Sequence, residues 1–84
     1  MLEISLPIIV EGKYDRERVL SVARATVITT DGFGIFRKDE KAALIRRLAE
    51  AGGVIVLTDS DGAGLVIRNY IHGILPPDKI FDIY

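Results

Sequence analysis

The fold of this chain is decided by the stretch VIVLTDSDGAG at residues 54–64. Its first four residues are apolar and mostly β-branched, without the alternation of a half-exposed strand. Such a run is typical of a strand covered on both faces in a parallel sheet. The stretch IIVEGK at residues 8–13 repeats the arrangement, because three apolar residues are followed directly by a carboxylate and a glycine. We therefore predict two central strands whose carboxyl ends carry polar residues.

Two weaker strands lie outward from these runs. Residues 26–30 form a short β-prone run that ends at Asp31-Gly32, and residues 79–84 alternate like a half-exposed edge strand after two prolines. Three segments with helical spacing separate the four strands. In the first, Asp15 is the expected N-cap. The second ends at Gly52-Gly53, where glycine favours a helix C-terminus.

The apolar positions of each helical segment predict the face that it buries. They are Val19, Val22 and Ala23 in the first, Leu44, Ile45 and Leu48 in the second, and Ala63, Val66, Ile67, Tyr70, Ile71 and Ile74 in the third. The order β-α-β-α-β-α-β predicts an α/β fold: one domain over residues 1–84, with a four-stranded, mostly parallel sheet flanked by three helices. Ligands of such sheets bind outside the carboxyl ends of the strands.

Composition excludes several classes of function. The 84 residues contain no cysteine, which rules out a disulfide framework, thiolate zinc sites and a cysteine nucleophile. No apolar run approaches the ~20 residues of a membrane span, so we expect a soluble, cytoplasmic protein without a membrane partner. With 11 Lys and Arg against 12 Asp and Glu, the net charge is -1. The chain thus lacks the basic excess of free-standing nucleic-acid binders.

Three carboxylates follow the two central strands. Glu11 ends the first, and Asp59 and Asp61 follow the second. If the strands are neighbours these side chains converge, and two carboxylates ~4 Å apart repel by ~4 kcal/mol at an effective dielectric of ~20. A divalent cation offsets this repulsion, and an oxygen-only ligand set suits Mg²⁺, with Mn²⁺ as a substitute. Polar strand ends are also ordinary loop chemistry, but the paired pattern favours a metal site.

Glycines flank the carboxylates. Gly62 and Gly64 would let the backbone approach a phosphate or a metal-bound water at the start of the third helix. Turn formation alone would also explain glycines at these positions.

These motifs resemble the Toprim domain family. It is shared by type IA and type II topoisomerases, bacterial primases, old-family nucleases, RecR-type repair proteins and the ribonuclease that matures ribosomal 5S RNA. The carriers are IIVEGKYD at residues 8–15 and the stretch 54–64. The E-G-K-x-D form and the turn at residues 30–32 are most similar to the 5S-maturing ribonuclease, and then to primase-type Toprim domains. The resemblance covers nearly the whole chain.

The resemblance implies roles for individual residues. Glu11 would act as general acid or base in phosphodiester chemistry and would also be a metal ligand. Asp59 and Asp61 would hold Mg²⁺, and Gly12 and Gly64 would fill the small positions of the motif. Gly12 is expected to bind phosphate together with Gly62 and Gly64. Lys13 could touch the scissile phosphate or pair with Asp15.

Two functions follow from this interpretation. The first is a Mg²⁺-dependent, nuclease-like phosphoryl-transfer domain acting on RNA or DNA. The second is a non-catalytic Toprim module that binds metal or a partner in a DNA repair or RNA-processing assembly. A receiver-like phosphoacceptor domain is a weaker third. We expect no second domain with a topoisomerase tyrosine or a primase template grip. The short, nearly neutral chain also leads us to expect a protein partner or a second copy.

The remaining candidates have ordinary structural explanations. We expect Tyr14 at the start of a helix, Tyr70 facing the core and Tyr84 at the end of the last strand. We expect His72 on the surface or at a helix end. Basic residues concentrate at Arg37, Lys38, Lys41, Arg46 and Arg47. They could grip a nucleic acid, but the interleaved acids favour a solvated helix face. Phe33 and Phe36 lie in a glycine-rich loop that could stack bases, meet a partner or pack on the core.

Overall fold

The structure, a computed structural model, describes residues 1–30, 38–58 and 62–83. Its elements are β1 (Leu2–Glu3), β2 (Ile8–Val10), α1 (Lys13–Val22), β3 (Ala23–Arg24), β4 (Val27–Thr29), α2 (Lys38–Ala49), β5 (Val54–Leu57), α3 (Gly62–Ile74), a 3-10 turn (Pro77–Lys79) and β6 (Ile80–Ile83).

The main sheet has four parallel strands in the order β4-β2-β5-β6. The two continuous apolar runs form its centre, and Ile9 lies in register between Ile28 and Val56. All three residues of β2 are buried because helices or neighbouring strands cover them from every side. The predicted α/β fold, with a four-stranded parallel sheet and three helices, is confirmed.

Helices α2 and α3 pack on one face of the sheet and α1 on the other. The core joins Ile45 of α2 and Ile67 and Ile71 of α3 to the inward-facing strand residues Ile9 and Val56. The connection through α1 crosses the sheet in the opposite direction to those through α2 and α3. Since such crossovers are right-handed, α1 must lie on the opposite face, where it contacts β4.

The predicted helix faces are too wide. Val66 is 61% exposed, and Leu44 and Val22 are also exposed. Within the helices, the core cluster takes only Ile45 and Ala49 from α2 and Ile67 and Ile71 from α3, at i, i+4 spacing. Leu48 and Ile74 are partly buried against it, as their predicted positions require. Tyr70 packs against the core as predicted, and the Ala63 side chain lies outside the described residues.

The predicted N-cap of the first helix is wrong, and so is the helical position predicted for Ala23. Gly12, not Asp15, is the N-cap, and Asp15 accepts a hydrogen bond from the Gly12 N–H at 3.2 Å. Ala23 leaves the helix, because its extended backbone forms an unpredicted parallel pair in which it is in register with Leu2. That pairing buries Ala23, which offsets the loss of further helical turns.

Strand β6 is the edge strand that the alternation predicted. Ile80 is buried under α3, whereas Phe81 and Ile83 point to the opposite face, in register with Ile55 and Leu57. Both are about half exposed because α1 lies over the other edge of the sheet, at β4. None of the helices in the described ranges is both long enough and apolar enough to cross a membrane.

Gly53 allows α2 to end and β5 to begin. Its φ is 101°, and its N–H donates to the Ala49 carbonyl oxygen at 2.8 Å. A Cβ at this position would lie 2.6 Å from the Lys79 carbonyl oxygen, on the chain that enters β6. Both the backbone conformation and the close approach therefore require glycine.

We expect Gly53→Ala to lower the free energy of unfolding by about 2 kcal/mol, because a side chain is disfavoured at positive φ and would also collide with backbone. The control is Gly73→Ala in α3, where an added Cβ meets nothing within 4 Å. That variant should be unchanged or more stable by up to ~1 kcal/mol. Urea unfolding followed by circular dichroism measures both, and equal effects would contradict the assignment.

Candidate functional site

The carboxyl end of β2 carries Glu11, which is half-buried. Its carbonyl oxygen accepts a hydrogen bond from the Thr30 hydroxyl at 3.2 Å, and the Thr30 N–H donates to the Val10 carbonyl oxygen at 3.1 Å. Thr30 is buried where β4 ends. These two hydrogen bonds connect the carboxyl ends of β4 and β2, and they fix the backbone at Glu11.

Strand β5 lies directly beside β2, which is the condition for the predicted carboxylate cluster. The pairs Ile8–Ile55 and Ile9–Val56 define the register. Continued past the last pair, this register sets Glu11 opposite Thr58, the residue immediately before Asp59. Asp59 and Asp61 themselves lie outside the described residues, so their convergence on Glu11 stays a prediction.

The donor set that the chain offers here consists of oxygen atoms only. Within residues 1–30, 38–58 and 62–83, no group of three His, Cys, Asp or Glu side chains is placed to hold a metal ion. Two of the three predicted ligands fall outside those ranges. Carboxylates without histidine or thiolate fit Mg²⁺ or Mn²⁺ better than zinc, so the residue types are suitable for the predicted ion.

The three predicted phosphate-binding glycines differ in what their backbones require. Gly12 has ordinary extended dihedrals, φ -139° and ψ 177°, and an added Cβ would meet nothing within 4 Å. Gly62 begins α3 with a φ of 56°, which favours glycine. Gly64 is buried, and its carbonyl oxygen accepts the Thr58 hydroxyl at 3.4 Å. At Gly12, local conformation does not explain the glycine.

Lys13 is the first residue of α1 and is two positions after Glu11 in the sequence. Its side chain is exposed. Tyr14, next to it, is 73% exposed, as expected of a helix-start residue. These positions place a cation and an aromatic ring on the first turn of the helix that leaves the candidate site.

Two basic residues are buried against expectation. Lys41 is not on a solvated face, because its Nζ donates to the Thr29 carbonyl oxygen at 3.1 Å where β4 ends. The sequence alone did not single out Arg68, which directly follows Ile67 of the predicted apolar face. Its guanidinium donates to the carbonyl oxygens of Thr58 and Ile83 and to Asp82. Arg46 and Arg47 are exposed as predicted, and residues 31–37 lie outside the described part.

Comparison with known proteins identifies the family. A solved small TOPRIM domain protein from Bacillus stearothermophilus matches 100% of this chain and 71% of its own length, with a TM-score of 0.76 and 27% identity. Proteins named Ribonuclease M5 also match this chain. That from Borreliella burgdorferi is 41% identical over 71 residues, 84% of this chain, and that from Clostridium botulinum is 47% identical over 64 residues, 76% of this chain. The chain is a Toprim domain.

This Toprim domain is related to the Ribonuclease M5 proteins but matches only part of them. It spans 38% of the length of the Borreliella protein and 34% of the Clostridium protein. No family model matches the chain. The Toprim relation predicted from IIVEGKYD and VIVLTDSDGAG is confirmed by both kinds of comparison.

Proposed function

We propose that this Toprim domain is a Mg²⁺-dependent phosphoryl-transfer domain that cleaves phosphodiester bonds in nucleic acid. The parallel register between β2 and β5 carries the proposal, because it sets Glu11 opposite the residue that precedes Asp59. The name of the Ribonuclease M5 relatives favours RNA over DNA as substrate. The domain would act in the cytoplasm, the ordinary location of a cysteine-free, RNA-processing protein.

The residues divide the chemistry among them. A bound Mg²⁺ would supply stabilisation of charge on the phosphoryl and leaving oxygens. Asp59 and Asp61 would hold the ion through their carboxylate oxygens. The Glu11 carboxylate would take the proton from the attacking oxygen or return one to the leaving oxygen. Lys13 Nζ and the backbone N–H groups next to Gly12, Gly62 and Gly64 would contact the phosphate.

A second candidate is a non-catalytic module that binds metal or a partner in a repair or RNA-processing assembly. The partial coverage supports it, since about three fifths of the Borreliella protein has no match in this chain. The charge of -1 supports it too, because little basic surface is available to hold a polyanion. In either case a protein partner or a second copy would supply the basic surface that holds the nucleic acid.

One experiment separates the two candidates. The purified chain is incubated with structured RNA, single-stranded DNA and duplex DNA, each with Mg²⁺, with Mn²⁺ or with EDTA. We expect cleavage of RNA that requires either ion and stops in EDTA. The Asp59→Asn variant, purified in parallel, controls for a contaminating nuclease. Equal cleavage by both proteins, or none by the wild type, would contradict the enzyme and favour the binding module.

We further expect Gly12→Ala to raise the KM for the cleaved substrate about tenfold, the equivalent of one charge-assisted hydrogen bond. The added methyl group has space within the protein, so it would act on an approaching phosphate. The free energy of unfolding should fall by no more than about 1 kcal/mol. Steady-state kinetics at saturating Mg²⁺ measure the KM. An unchanged KM would remove Gly12 from the phosphate site.

A further inference from the structure

We infer that Arg68 is a positioning residue of the candidate site, which fixes the end of β5 from which Asp59 and Asp61 follow. This inference rests on the proposed function, since it concerns the same metal ligands. Arg68 belongs to α3 and is 3% exposed. It is thus a fully charged side chain held in the interior of a small domain.

The guanidinium joins the ends of two strands. One of its terminal nitrogens, Nη2, donates to the Thr58 carbonyl oxygen at 2.7 Å and also to the Ile83 carbonyl oxygen. The Ile83 oxygen accepts the Thr58 N–H as well, at 3.4 Å. Thr58 is therefore held through both its N–H and its carbonyl group. The peptide that Arg68 grips is the one that connects Thr58 to Asp59.

Asp82 orients the guanidinium. Its Oδ1 accepts from Arg68 Nη1 at 2.7 Å, and its Oδ2 lies 2.8 Å from His72 Nε2. Asp82 thereby links two residues of α3, four positions apart, to strand β6. A carboxylate partner offsets much of the cost of burying the arginine, and the two carbonyl oxygens accept from its Nη2 group.

Stability alone does not account for an arginine at this position. A buried ion pair contributes little to stability compared with apolar residues of similar size, and the neighbours Ile67 and Ile71 already fill the core. An apolar residue lacks the rigid guanidinium group, which here binds three acceptors at once: Asp82 and the carbonyl oxygens of Thr58 and Ile83. The guanidinium group fixes the Thr58 carbonyl group at the end of β5, immediately before the predicted carboxylates in the sequence.

The test compares Arg68→Lys, Arg68→Met and Asp82→Asn with a control, Arg46→Met. Arg46 is an exposed arginine that also donates to a carbonyl oxygen of α3, that of Ile74 at 3.2 Å, but at the opposite end of the helix. The full chain is used throughout. Mn²⁺ affinity is measured by electron paramagnetic resonance, kcat and KM by RNA cleavage, and the free energy of unfolding by urea titration.

We expect Arg68→Lys to remain folded, because the charge stays and can still meet Asp82. Its Mn²⁺ dissociation constant should rise about tenfold and its kcat should fall 10- to 100-fold, as for other residues that orient metal ligands, with KM changed less than about twofold. Asp82→Asn should show the same pattern to a smaller extent, and Arg46→Met should match the wild type. If Arg68→Met does not fold, Arg68→Lys and Asp82→Asn still test the positioning role of Arg68.

The inference is overturned if folded Arg68→Lys has the Mn²⁺ affinity and kcat of the wild type and only its stability is reduced. Arg68 would then be an ordinary buried ion-pair residue.

Failure of the proposed function gives different results for the wild type. If the wild type binds Mn²⁺ without cleaving RNA, the Mn²⁺ affinities still test Arg68. If it binds no Mn²⁺, amide hydrogen exchange at Thr58 decides: faster exchange in Arg68→Lys, with β2 unaffected, supports the positioning role, and unchanged exchange overturns it.

Discussion

Asp59→Asn is expected to lower metal-dependent cleavage at least ~100-fold. The change removes one negative charge from the predicted ion site and leaves the size of the side chain nearly unchanged. Because a bound divalent cation stabilises a phosphoryl transition state by several kcal/mol, and each 1.4 kcal/mol corresponds to tenfold in rate, losing a ligand should cost at least two powers of ten.

The measurement is single-turnover cleavage of labelled RNA over a range of Mg²⁺ concentrations. Asp78→Asn is the matched control, since Asp78 is an exposed carboxylate in the 3-10 turn before β6. We expect it to cleave like the wild type. If raising Mg²⁺ restores Asp59→Asn fully, the residue contributes affinity alone. A rate equal to the wild type at every Mg²⁺ concentration would remove Asp59 from the site.

Glu11→Gln is expected to lower kcat by about 10²- to 10⁴-fold, the usual contribution of a general acid or base. The amide keeps the shape of the side chain and cannot exchange a proton in the same way. The backbone at Glu11 should stay in place, because the Thr30 hydroxyl binds its carbonyl oxygen, not its side chain. Mn²⁺ affinity should fall less than kcat, since Asp59 and Asp61 would still hold the ion.

Glu3→Gln is the control for this substitution. Glu3 is exposed and lies 3.8 Å from Arg24, away from the main sheet. We expect its kinetics to match the wild type. If Glu11→Gln instead loses Mn²⁺ binding without a separate effect on kcat at saturating metal, Glu11 is a metal ligand and the proton is transferred by another group.

Much of this fold could be predicted from short stretches of sequence. The unbroken apolar runs at residues 8–10 and 54–57 predicted central strands, because only strands covered on both faces lose the alternation of period two. The stop at Gly52-Gly53 predicted the end of α2, because a helix C-terminus favours a residue at positive φ, the conformation that Gly53 adopts. Both features are local, and both were correct.

Exposure on the helices was less predictable. Val66 and Ile67 are adjacent apolar residues of α3, yet the first is 61% exposed and the second is in the core. Helical periodicity describes a broad face, whereas the width of the buried stripe depends on how the sheet and α2 approach it. Lys41 was misjudged for a related reason, since its acceptor is a backbone carbonyl from a distant strand.

By itself, the sequence determined the order of strands and helices, the relation to Toprim domains and the position of Glu11, Asp59 and Asp61 after the two central strands. Only the tertiary structure decided that these strands are neighbours and that Arg68 is buried between Thr58, Asp82 and Ile83. The physical reason is that secondary structure follows from periodicity within a few residues, whereas a charge can be buried only where the fold assembles acceptors from separate segments.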